Sequence, residues 1–310
     1  MRLHNDVETF RNLISLVAAD KHLPENAIER DYYIVLLLKN LVESEYADKC
    51  VFKGGTSLSK CYPGSIERFS EDIDLTYLGM EESDKSCDRT IKKIEAAMTK
   101  GAQTEKIAEE RSNRSKSMFV WFNNKDNKVK LEIGSSVRPE PYSKRTLKTY
   151  IQEFLEQHDG EDDITEYCLS EIELNVLGIE RTFVDKLMAV KRHAVCGTIG
   201  RKVRHIYDVE RLYNLPEIQD FIRDDDKIRR LIRIAKETDS FYLTKRNICR
   251  EYNPTGAYDF DEWKWRLDDE VRRTYENLHR DLLYTDEKQN FGNAVSVLES
   301  ISSRLAEIGE

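Results

Sequence analysis

The amino-acid sequence predicts an α+β fold, in which a mixed α/β module is followed by a mostly helical one. Segments with the apolar or alternating pattern of strands lie between residues 50 and 176, with helical segments among them. From Gly178 onward, apolar residues recur at helical spacing. The boundary is therefore expected at about residues 140–178, close to Pro139 and Pro141, which interrupt regular structure.

The elements of the first module follow from local patterns. Apolar residues three and four positions apart predict helices, whereas short apolar runs or strict alternation predict strands. The predicted helices cover residues 5–21, 25–45, 57–61 and 83–99, and the predicted strands cover 50–52, 69–77, 117–122, 128–134 and part of 168–176. The strands are expected to form a small mixed sheet, with a hairpin turn at 123–127 and a charged connecting segment at 142–165.

The second module is predicted to consist of successive helices. The first, over residues 179–194, is strongly amphipathic, and its apolar stripe is a core face by default. The remaining helices are predicted over residues 203–213, 216–236, 259–284 and 290–308.

Composition and charge exclude several classes of protein. With 310 residues, 35% charged and 39% hydrophobic, the chain has the composition of a polar globular protein of one large or two medium domains. A net charge of −9 argues against a protein that coats DNA, because such binding neutralises phosphates, and DNA is not expected as a partner. Neither a run of about 18 apolar residues nor a signal-peptide pattern is present, so no membrane contact and a cytoplasmic location are expected.

The six cysteines are scattered and form no CxxC or Cys/His cluster, so zinc is not expected. In a chain without an export signal, they are predicted to be reduced thiols. The five that lie outside the glycine-rich region are expected to fill the core: Cys50, Cys87, Cys168, Cys196 and Cys249.

The most informative motif is a glycine-rich turn that precedes two aspartates. Residues 53–60 read KGGTSLSK, and residues 68–75 read RFSEDIDL. Asp72 and Asp74 are spaced i, i+2, so in a strand both point to one face while Ile73 points to the core. Two parallel carboxylates suit Mg²⁺, with Mn²⁺ as a substitute, and the turn lets backbone N–H groups approach a phosphate.

Both parts of the motif also have ordinary interpretations. A glycine-rich turn commonly joins a strand to a helix, and this one lacks the spacing of a Walker A loop. Two aspartates at i, i+2 occur by chance in a chain with 58 acidic residues. The combination favours a metal site, because a strand, a GG[ST] turn, a helix and a strand with two aspartates resembles the nucleotidyltransferase superfamily related to DNA polymerase β.

Candidate nucleotide ligands surround the turn. The residues at the expected helix N-terminus could face the phosphates of a nucleotide, and they are Gly54, Gly55, Thr56 and Ser57. Lys60 is either solvated or adds charge near those phosphates. Arg68, with Ser70 two residues later, either binds a triphosphate or forms a salt bridge that supports the loop.

Glu132 is the third acidic candidate. In the alternating strand 128–134, Glu132 and Lys130 share the polar face, opposite the apolar one. Glu132 is either an exposed glutamate paired with a lysine or a third carboxylate that holds the metal and helps to deprotonate an attacking hydroxyl. Lys186 and Asp208, taken alone, are each interpreted as a helix residue paired with a neighbouring charge.

Together these segments resemble the AbiEii/AbiGii nucleotidyltransferase toxin family, which includes the MenT toxins. The matching blocks are, in order, GGTSL at 54–58, RFSEDIDL at 68–75, FVDKL at 183–187 and YDV at 207–209. In one departure, His205 and Ile206 stand where the family has an Arg-Asp pair, which predicts a weakened ion pair in the helical half.

The resemblance implies a bilobed fold, with a nucleotidyltransferase domain over residues 1–175 and a helical domain over 176–310 that closes the nucleotide cleft. It implies that Ser57 contacts the triphosphate of an NTP and that Asp72 and Asp74 hold the metal. It further implies that Lys186 reaches the triphosphate and that Asp208 positions Lys186 or the substrate.

The resemblance also implies a toxin of a bacterial or phage-defence toxin–antitoxin pair. Such toxins transfer a nucleotide, often a pyrimidine, to the 3′ acceptor end of tRNA and are neutralised by a protein antitoxin. A dense basic run is interpreted as an RNA-phosphate platform, with a solvated helix face as the alternative. Its candidate RNA ligands are Lys191, Arg192, Arg201, Lys202 and Arg204.

Two other functions stay open at this point. The same chemistry could modify a protein, including the antitoxin, by nucleotidylation or phosphorylation, or could modify a small molecule. A nucleotide-sensing scaffold without chemistry is the non-enzymatic alternative, although the intact aspartate pair argues against it.

Overall fold

The structure, a computed structural model, describes residues 2–243, 248–283 and 288–310. The chain divides into two compact units. The first contains Phe69–Leu177 and the residues up to Tyr62, and the second contains Pro63–Arg68 and Gly178–Glu310. The sheet belongs to the first unit and the second unit is mostly helical, which confirms the predicted α+β class.

A mixed sheet forms the centre of the first unit. Among the described residues it has seven strands, which are β1 (Cys50–Lys53), β2 (Asp72–Tyr77), β3 (Gln103–Lys106), β4 (Ser115–Trp121), β5 (Val129–Gly134), β6 (Tyr142–Leu147) and β7 (Ile172–Leu177). Their order is β3-β4-β5-β2-β1-β7-β6. β2 runs parallel to β5 and β1 runs parallel to β7, whereas the other neighbours are antiparallel.

Alternation along β2 and β5 separates a buried face from a polar one, as predicted. Ile73 and Leu75 of β2 are buried, as are Val129, Leu131 and Ile133 of β5. The polar residues of both strands consequently share the other face of the sheet.

Helices pack around this sheet and are capped by side chains in several places. They are α1 (Val7–Lys21), α2 (Glu25–Val42), α3 (Gly54–Cys61), α4 (Asp84–Met98), α5 (Tyr150–Gln157) and α6 (Glu161–Glu166). Asp6 caps α1, Ser83 caps α4 and Thr149 caps α5, each by accepting a hydrogen bond from a backbone N–H of the first turn.

The second unit is built from helices with amphipathic patterns. They are α7 (Ile179–Val195), α8 (Val203–Tyr213), α9 (Pro216–Arg223), α10 (Asp225–Leu243), α11 (Asp269–Glu276), α12 (Leu278–Asp281) and α13 (Phe291–Glu307). The predicted apolar stripe of α7 is core, with Phe183, Val184 and Leu187 fully buried. No helix in the described part of the chain is long and apolar enough to cross a membrane.

Several elements of the first unit differ from the sequence prediction. The segment expected to be a charged connection, residues 142–165, contains β6, α5 and α6. β3 was not predicted either. Most side chains of β6, and all of those of β3, are exposed, so these two edge strands form by backbone pairing and carry no apolar pattern.

In the second unit, two predicted helices are shorter than expected. The predicted helix 216–236 is interrupted at Asp224, whose backbone is extended and whose side chain accepts a hydrogen bond from the backbone N–H of Lys227. In the predicted helix 259–284, residues 260–266 form two short 3₁₀ turns around the buried Trp263, and α11 begins only at Asp269. Tyr284, the predicted end, lies outside the described residues.

The prediction of six reduced cysteines is wrong for one pair. Cys196 and Cys249 form a disulfide, with their Cα atoms 5.4 Å apart. Cys168 is exposed and does not fill the core, whereas Cys50 and Cys87 are buried as predicted. The sequence separation of 53 between Cys196 and Cys249 explains why no local pattern indicated their pairing.

Candidate active site

The carboxylates of Asp72 and Asp74 lie on the polar face of β2. Both side chains are half-buried, and the buried Ile73 lies between them on the opposite face. In the parallel register between β2 and β5, Asp72 stands opposite Lys130 and Asp74 stands opposite Glu132. Three carboxylates and one ammonium group therefore extend from neighbouring positions of one sheet face.

Gly54, the first residue of α3, lies directly against Asp74. Its φ of +86° is in the region that favours glycine. A Cβ atom at this position would lie 2.3 Å from Asp74 Oδ2, much closer than any van der Waals contact. Glycine is therefore required here both by backbone conformation and by the approach of the carboxylate, and α3 begins at the glycines and not at Ser57 as predicted.

The hydroxyl groups that follow the glycines point into the protein. Ser57 is fully buried, and its hydroxyl donates to the carbonyl oxygen of Gly54 at 2.9 Å. Thr56 is also buried, and its Oγ1 lies 2.5 Å from the carbonyl oxygen of Asp72 and 2.9 Å from Ser70 Oγ. These contacts occupy the side chains of Thr56, Ser57 and Ser70 with protein partners, whereas Gly55 is half-exposed in the first turn of α3.

Lys60 forms a buried ion pair, which corrects the interpretation of Lys60 as solvated, whereas its role near the phosphates stays a prediction. Its Nζ lies 2.6 Å from Asp31 Oδ1 and 4.0 Å from the ring centroid of Tyr150. The other oxygen of Asp31 accepts a hydrogen bond from the backbone N–H of Tyr150 at 2.8 Å. Burial raises the pKa of Asp31, although Lys60 opposes the shift. Lys60 thus links α3 to α2 and α5, and it does not extend into solvent.

Glu132 forms the lysine pair that its ordinary interpretation predicts. Lys130 Nζ lies 2.6 Å from Glu132 Oε1 and 2.8 Å from Glu110 Oε2. Burial alone would lower the pKa of Lys130, but the two carboxylates outweigh it and raise that pKa. Glu132 is placed beside Asp74 by strand register, and its role as a third metal ligand stays a prediction.

The donor set of this face fits a magnesium ion. Mg²⁺ prefers oxygen ligands and is usually held by one or two carboxylates together with substrate phosphates and water. Asp72 and Asp74 supply two such carboxylates, and the absence of a side chain at Gly54 makes room for the carboxylate of Asp74. Across residues 2–243, 248–283 and 288–310, no group of three His, Cys, Asp or Glu side chains is arranged to hold a metal.

In the second unit, Asp208 holds two cations. Arg68 binds its carboxylate through two atoms, with Nε 2.5 Å from Oδ1 and an Nη atom 2.7 Å from Oδ2. Lys186 Nζ lies 2.5 Å from Oδ2 of the same carboxylate. All three side chains are buried, and Asp208 is completely so. Of the two predicted roles of Arg68, the structure shows the salt bridge.

One carboxylate among two buried cations shifts the pKa values of the cluster. Burial would raise the pKa of Asp208, but Arg68 and Lys186 outweigh it and hold that pKa well below its ordinary value. Burial lowers the pKa of Lys186, and the Arg68 charge adds to this while Asp208 opposes it. Asp208 thus makes short, buried contacts with both cations, and the weakening of an ion pair by His205 and Ile206 stays a prediction.

The basic run of α7 and α8 separates into buried and accessible parts. Lys191 is buried, and its Nζ donates to the carbonyl oxygen of Ala257 at 2.5 Å. Arg192 binds Asp239 through one Nη atom, at 2.7 and 2.8 Å. Both bind partners inside the second unit. Burial argues against Lys191 as an RNA ligand, whereas Arg192 is half-exposed and its role as an RNA ligand stays a prediction. Arg201 is exposed, and Lys202 and Arg204 are half-exposed.

Sequence reasoning missed Asp31, which sets the position of Lys60. Asp31 reads as one more charge on a long helix, and its partner is known only once α3 and α5 are packed against α2. The position of Lys130, in contrast, was indicated by the sequence, because the alternation in β5 already placed it on the same face as Glu132.

The mixed sheet and the aspartate pair beside a glycine-rich helix start fit the nucleotidyltransferase class. A family profile described as "Nucleotidyl transferase AbiEii toxin, Type IV TA system" matches residues 36–296, most of the chain. The chain belongs to this family of nucleotidyltransferase toxins. Membership implies an NTP substrate and an antitoxin as partner.

Two solved structures are similar to the chain. MenT4, a nucleotidyltransferase toxin from Mycobacterium tuberculosis H37Rv, is 17% identical with a TM-score of 0.49, and the match covers 96% of this chain and 99% of that one. JHP933 from Helicobacter pylori is 17% identical with a TM-score of 0.40, over 83% of this chain and 95% of that one. A comparison with curated proteins gives no match.

Proposed function

We propose that the protein transfers a nucleoside monophosphate from a pyrimidine NTP to the 3′ acceptor end of tRNA. The observation that carries the proposal is the aspartate pair on one face of β2, with the backbone of Gly54 against Asp74. Family membership supports nucleotide transfer. A tRNA with a blocked 3′ end cannot be aminoacylated, so this reaction would stop translation and account for a toxin.

In this proposal Asp72 and Asp74 hold Mg²⁺. The ion, when bound, would neutralise phosphate charge and stabilise the leaving oxygen. The protein contributes orientation, because β2 keeps both carboxylates on one face and its buried alternate residues hold the strand in place. Glu132, opposite Asp74, is proposed to accept the proton of the attacking hydroxyl. To do so, its carboxylate must first leave the ion pair with Lys130.

Lys186 is proposed to stabilise the departing pyrophosphate. It belongs to a buried cluster in which Arg68 and Lys186 share the carboxylate of Asp208. Such a cation is already oriented before the reaction and interacts strongly with a triphosphate in a dry environment. Closure of a nucleotide cleft by residues 176–310 stays a prediction of the sequence.

The proposal is tested by incubating the purified protein with each labelled NTP, Mg²⁺ and total tRNA. We expect label at the tRNA 3′ end with a pyrimidine NTP. Label only with purine NTPs would contradict the proposed base. Label on a co-expressed protein or a small molecule, with none on tRNA, would contradict the acceptor.

Replacing Gly54 by alanine is expected to reduce transfer at least about tenfold, because the new methyl group displaces Asp74 from its position. The positive φ adds a loss of about 1–2 kcal/mol in the free energy of unfolding. Gly101→Ala is the matched control, since Gly101 has a φ of +82° and no atom within 4 Å of the new Cβ. Both variants are compared by urea unfolding and transfer rate, and equal activity would contradict the Asp74 contact.

Charge reversal of Arg201, Lys202 and Arg204 to glutamate is expected to weaken tRNA binding and reduce its salt dependence. Each phosphate contact that is lost lowers the slope of log K against log salt by roughly 0.7–0.9. Binding is measured at several salt concentrations by fluorescence anisotropy.

The control for this experiment reverses Arg223, Lys227 and Arg230, which are exposed cations elsewhere in the second unit. This control changes the net charge by the same amount. An equal effect of both triple variants would indicate long-range attraction only, and would contradict a platform at residues 201–204.

A further inference from the structure

The first turn of α3 contacts both aspartates of β2, each in a different way. Gly54 approaches the carboxylate of Asp74, whereas Thr56 approaches the backbone of Asp72. Thr56 Oγ1 lies 2.5 Å from the carbonyl oxygen of Asp72 and 2.9 Å from Ser70 Oγ. A hydroxyl has a single proton, so Thr56 donates to the carbonyl and accepts the hydrogen bond from Ser70.

This contact lies where the sheet gives less support to Asp72. The ladder between β1 and β2 ends at the pair Lys53 and Asp74, so Asp72 extends beyond it on that side. On the other side Asp72 is still paired with Lys130 of β5. Thr56 therefore holds the backbone of Asp72 where β1 no longer does.

The other hydroxyls of α3 make a different kind of bond. Ser57 donates to the carbonyl oxygen of Gly54 at 2.9 Å, and Ser59 donates to that of Thr56 at 3.1 Å. Both bonds stay within the helix, whereas the bonds of Thr56 reach β2 and the loop before it.

We propose that Thr56 is a positioning residue, which sets the direction of the Asp72 carboxylate for metal binding. The inference rests on the proposed function of Asp72 and Asp74, and it replaces the predicted role of Thr56 as a nucleotide ligand. Thr56 is 2% exposed and already bonded to the protein, so its hydroxyl acts through Asp72 and not on a phosphate. Residues that orient metal ligands typically change metal affinity or activity by about 10–100-fold when they are lost.

The experiment measures binding of Mn²⁺ by electron paramagnetic resonance, with and without a non-reactive NTP analogue. Thr56→Val keeps the shape of the side chain and removes the hydroxyl, whereas Thr56→Ser keeps the hydroxyl. Ser59→Ala removes a hydroxyl from the same helix without touching β2. Asp74→Asn reports whether the aspartates bind the ion.

We expect Thr56→Val to weaken Mn²⁺ binding about 10–100-fold, and Thr56→Ser and Ser59→Ala to stay within about twofold of the unchanged protein. Unchanged Mn²⁺ affinity in Thr56→Val overturns the proposal. A loss of the same size in Thr56→Ser, together with a lower melting temperature in both variants, also overturns it, because it indicates a purely structural role.

The same data separate this inference from the proposed reaction. If Thr56→Val alone loses Mn²⁺ affinity while no NTP labels tRNA, the positioning role stands and the tRNA acceptor is wrong. If Asp74→Asn binds Mn²⁺ as tightly as the unchanged protein, the aspartates do not hold the metal and both proposals are wrong.

Discussion

Replacing Asp208 by asparagine is expected to lower the free energy of unfolding by about 3–5 kcal/mol, because it removes the buried counter-charge that two buried cations share. Asp208 is fully buried, and Arg68 and Lys186 both lie within 2.7 Å of its oxygens. Urea unfolding, followed by circular dichroism and by tryptophan fluorescence, measures the loss.

Asp220 provides the control for this prediction. It pairs with Arg223 at 3.0 Å, and both side chains are more than 70% exposed. Asp220→Asn should therefore change stability by less than about 1 kcal/mol. A similarly small loss for Asp208→Asn would contradict the buried cluster.

Acidification provides a second measure of how much the Asp208 carboxylate contributes to stability. Its pKa is lower in the folded protein than its ordinary value of about 3.9, so its stabilisation is complete above about pH 4. The stabilisation declines as the pH falls from there toward the folded-state pKa. The unchanged protein should therefore lose more stability between about pH 5 and pH 3 than Asp208→Asn does.

Lys186→Met should affect nucleotide transfer strongly and stability little. It removes one of the two cations bound to Asp208 and leaves the two-contact pair of Arg68 and Asp208 in place, so the free energy of unfolding should fall by less than about 1 kcal/mol or rise. Transfer activity should nevertheless be lost if Lys186 stabilises the leaving pyrophosphate. A large loss of stability in Lys186→Met would show that Arg68 does not satisfy Asp208 on its own.

Asp74→Asn is expected to reduce nucleotide transfer by about 10³-fold or more, with little change in the fold. A metal ion contributes several kcal/mol to the stabilisation of a phosphoryl transition state, and a factor of 10³ corresponds to about 4 kcal/mol. The side chain is half-buried and amide and carboxylate are similar in size, so packing should survive. Label transfer from an NTP under saturating Mg²⁺ measures the effect.

Glu71→Gln is the matched control for Asp74→Asn. Glu71 lies three residues earlier in the chain, is exposed, and pairs with Arg30 and not with the aspartates. Its variant should retain activity within about twofold to threefold, since exposed ion pairs contribute little. A loss of activity in Glu71→Gln equal to that of Asp74→Asn would indicate a general effect of acidic charge.

Much of the fold was predictable because its elements bury regular apolar patterns. The alternation of β2 and β5 and the stripe of α7 each indicated the correct element and the correct buried face. The edge strands β3 and β6 were not predictable, since their exposed side chains carry no such pattern. The break at Asp224 was missed, although aspartate is a residue type that favours helix ends over helix interiors.

The candidate site also contains some features that the sequence predicted and others that it could not predict. Spacing in the sequence was sufficient to place Asp72 and Asp74 on one strand face, because side-chain direction in a strand depends only on position along it. The same reasoning could not tell that Thr56 and Ser57 point inward, because that depends on what α3 packs against.

The partners of the charged residues were decided by tertiary structure. Lys60, Lys191 and Arg192 all read as available cations, yet each is occupied by a contact within its own unit. Arg68 and Asp208 are 140 residues apart and meet at 2.5 Å. An ion pair depends on distance in space, and local sequence specifies that distance only within a strand or a helix. The strand with its two aspartates is thus a property of local sequence, whereas the choice between ligand and structural partner is a property of the folded chain.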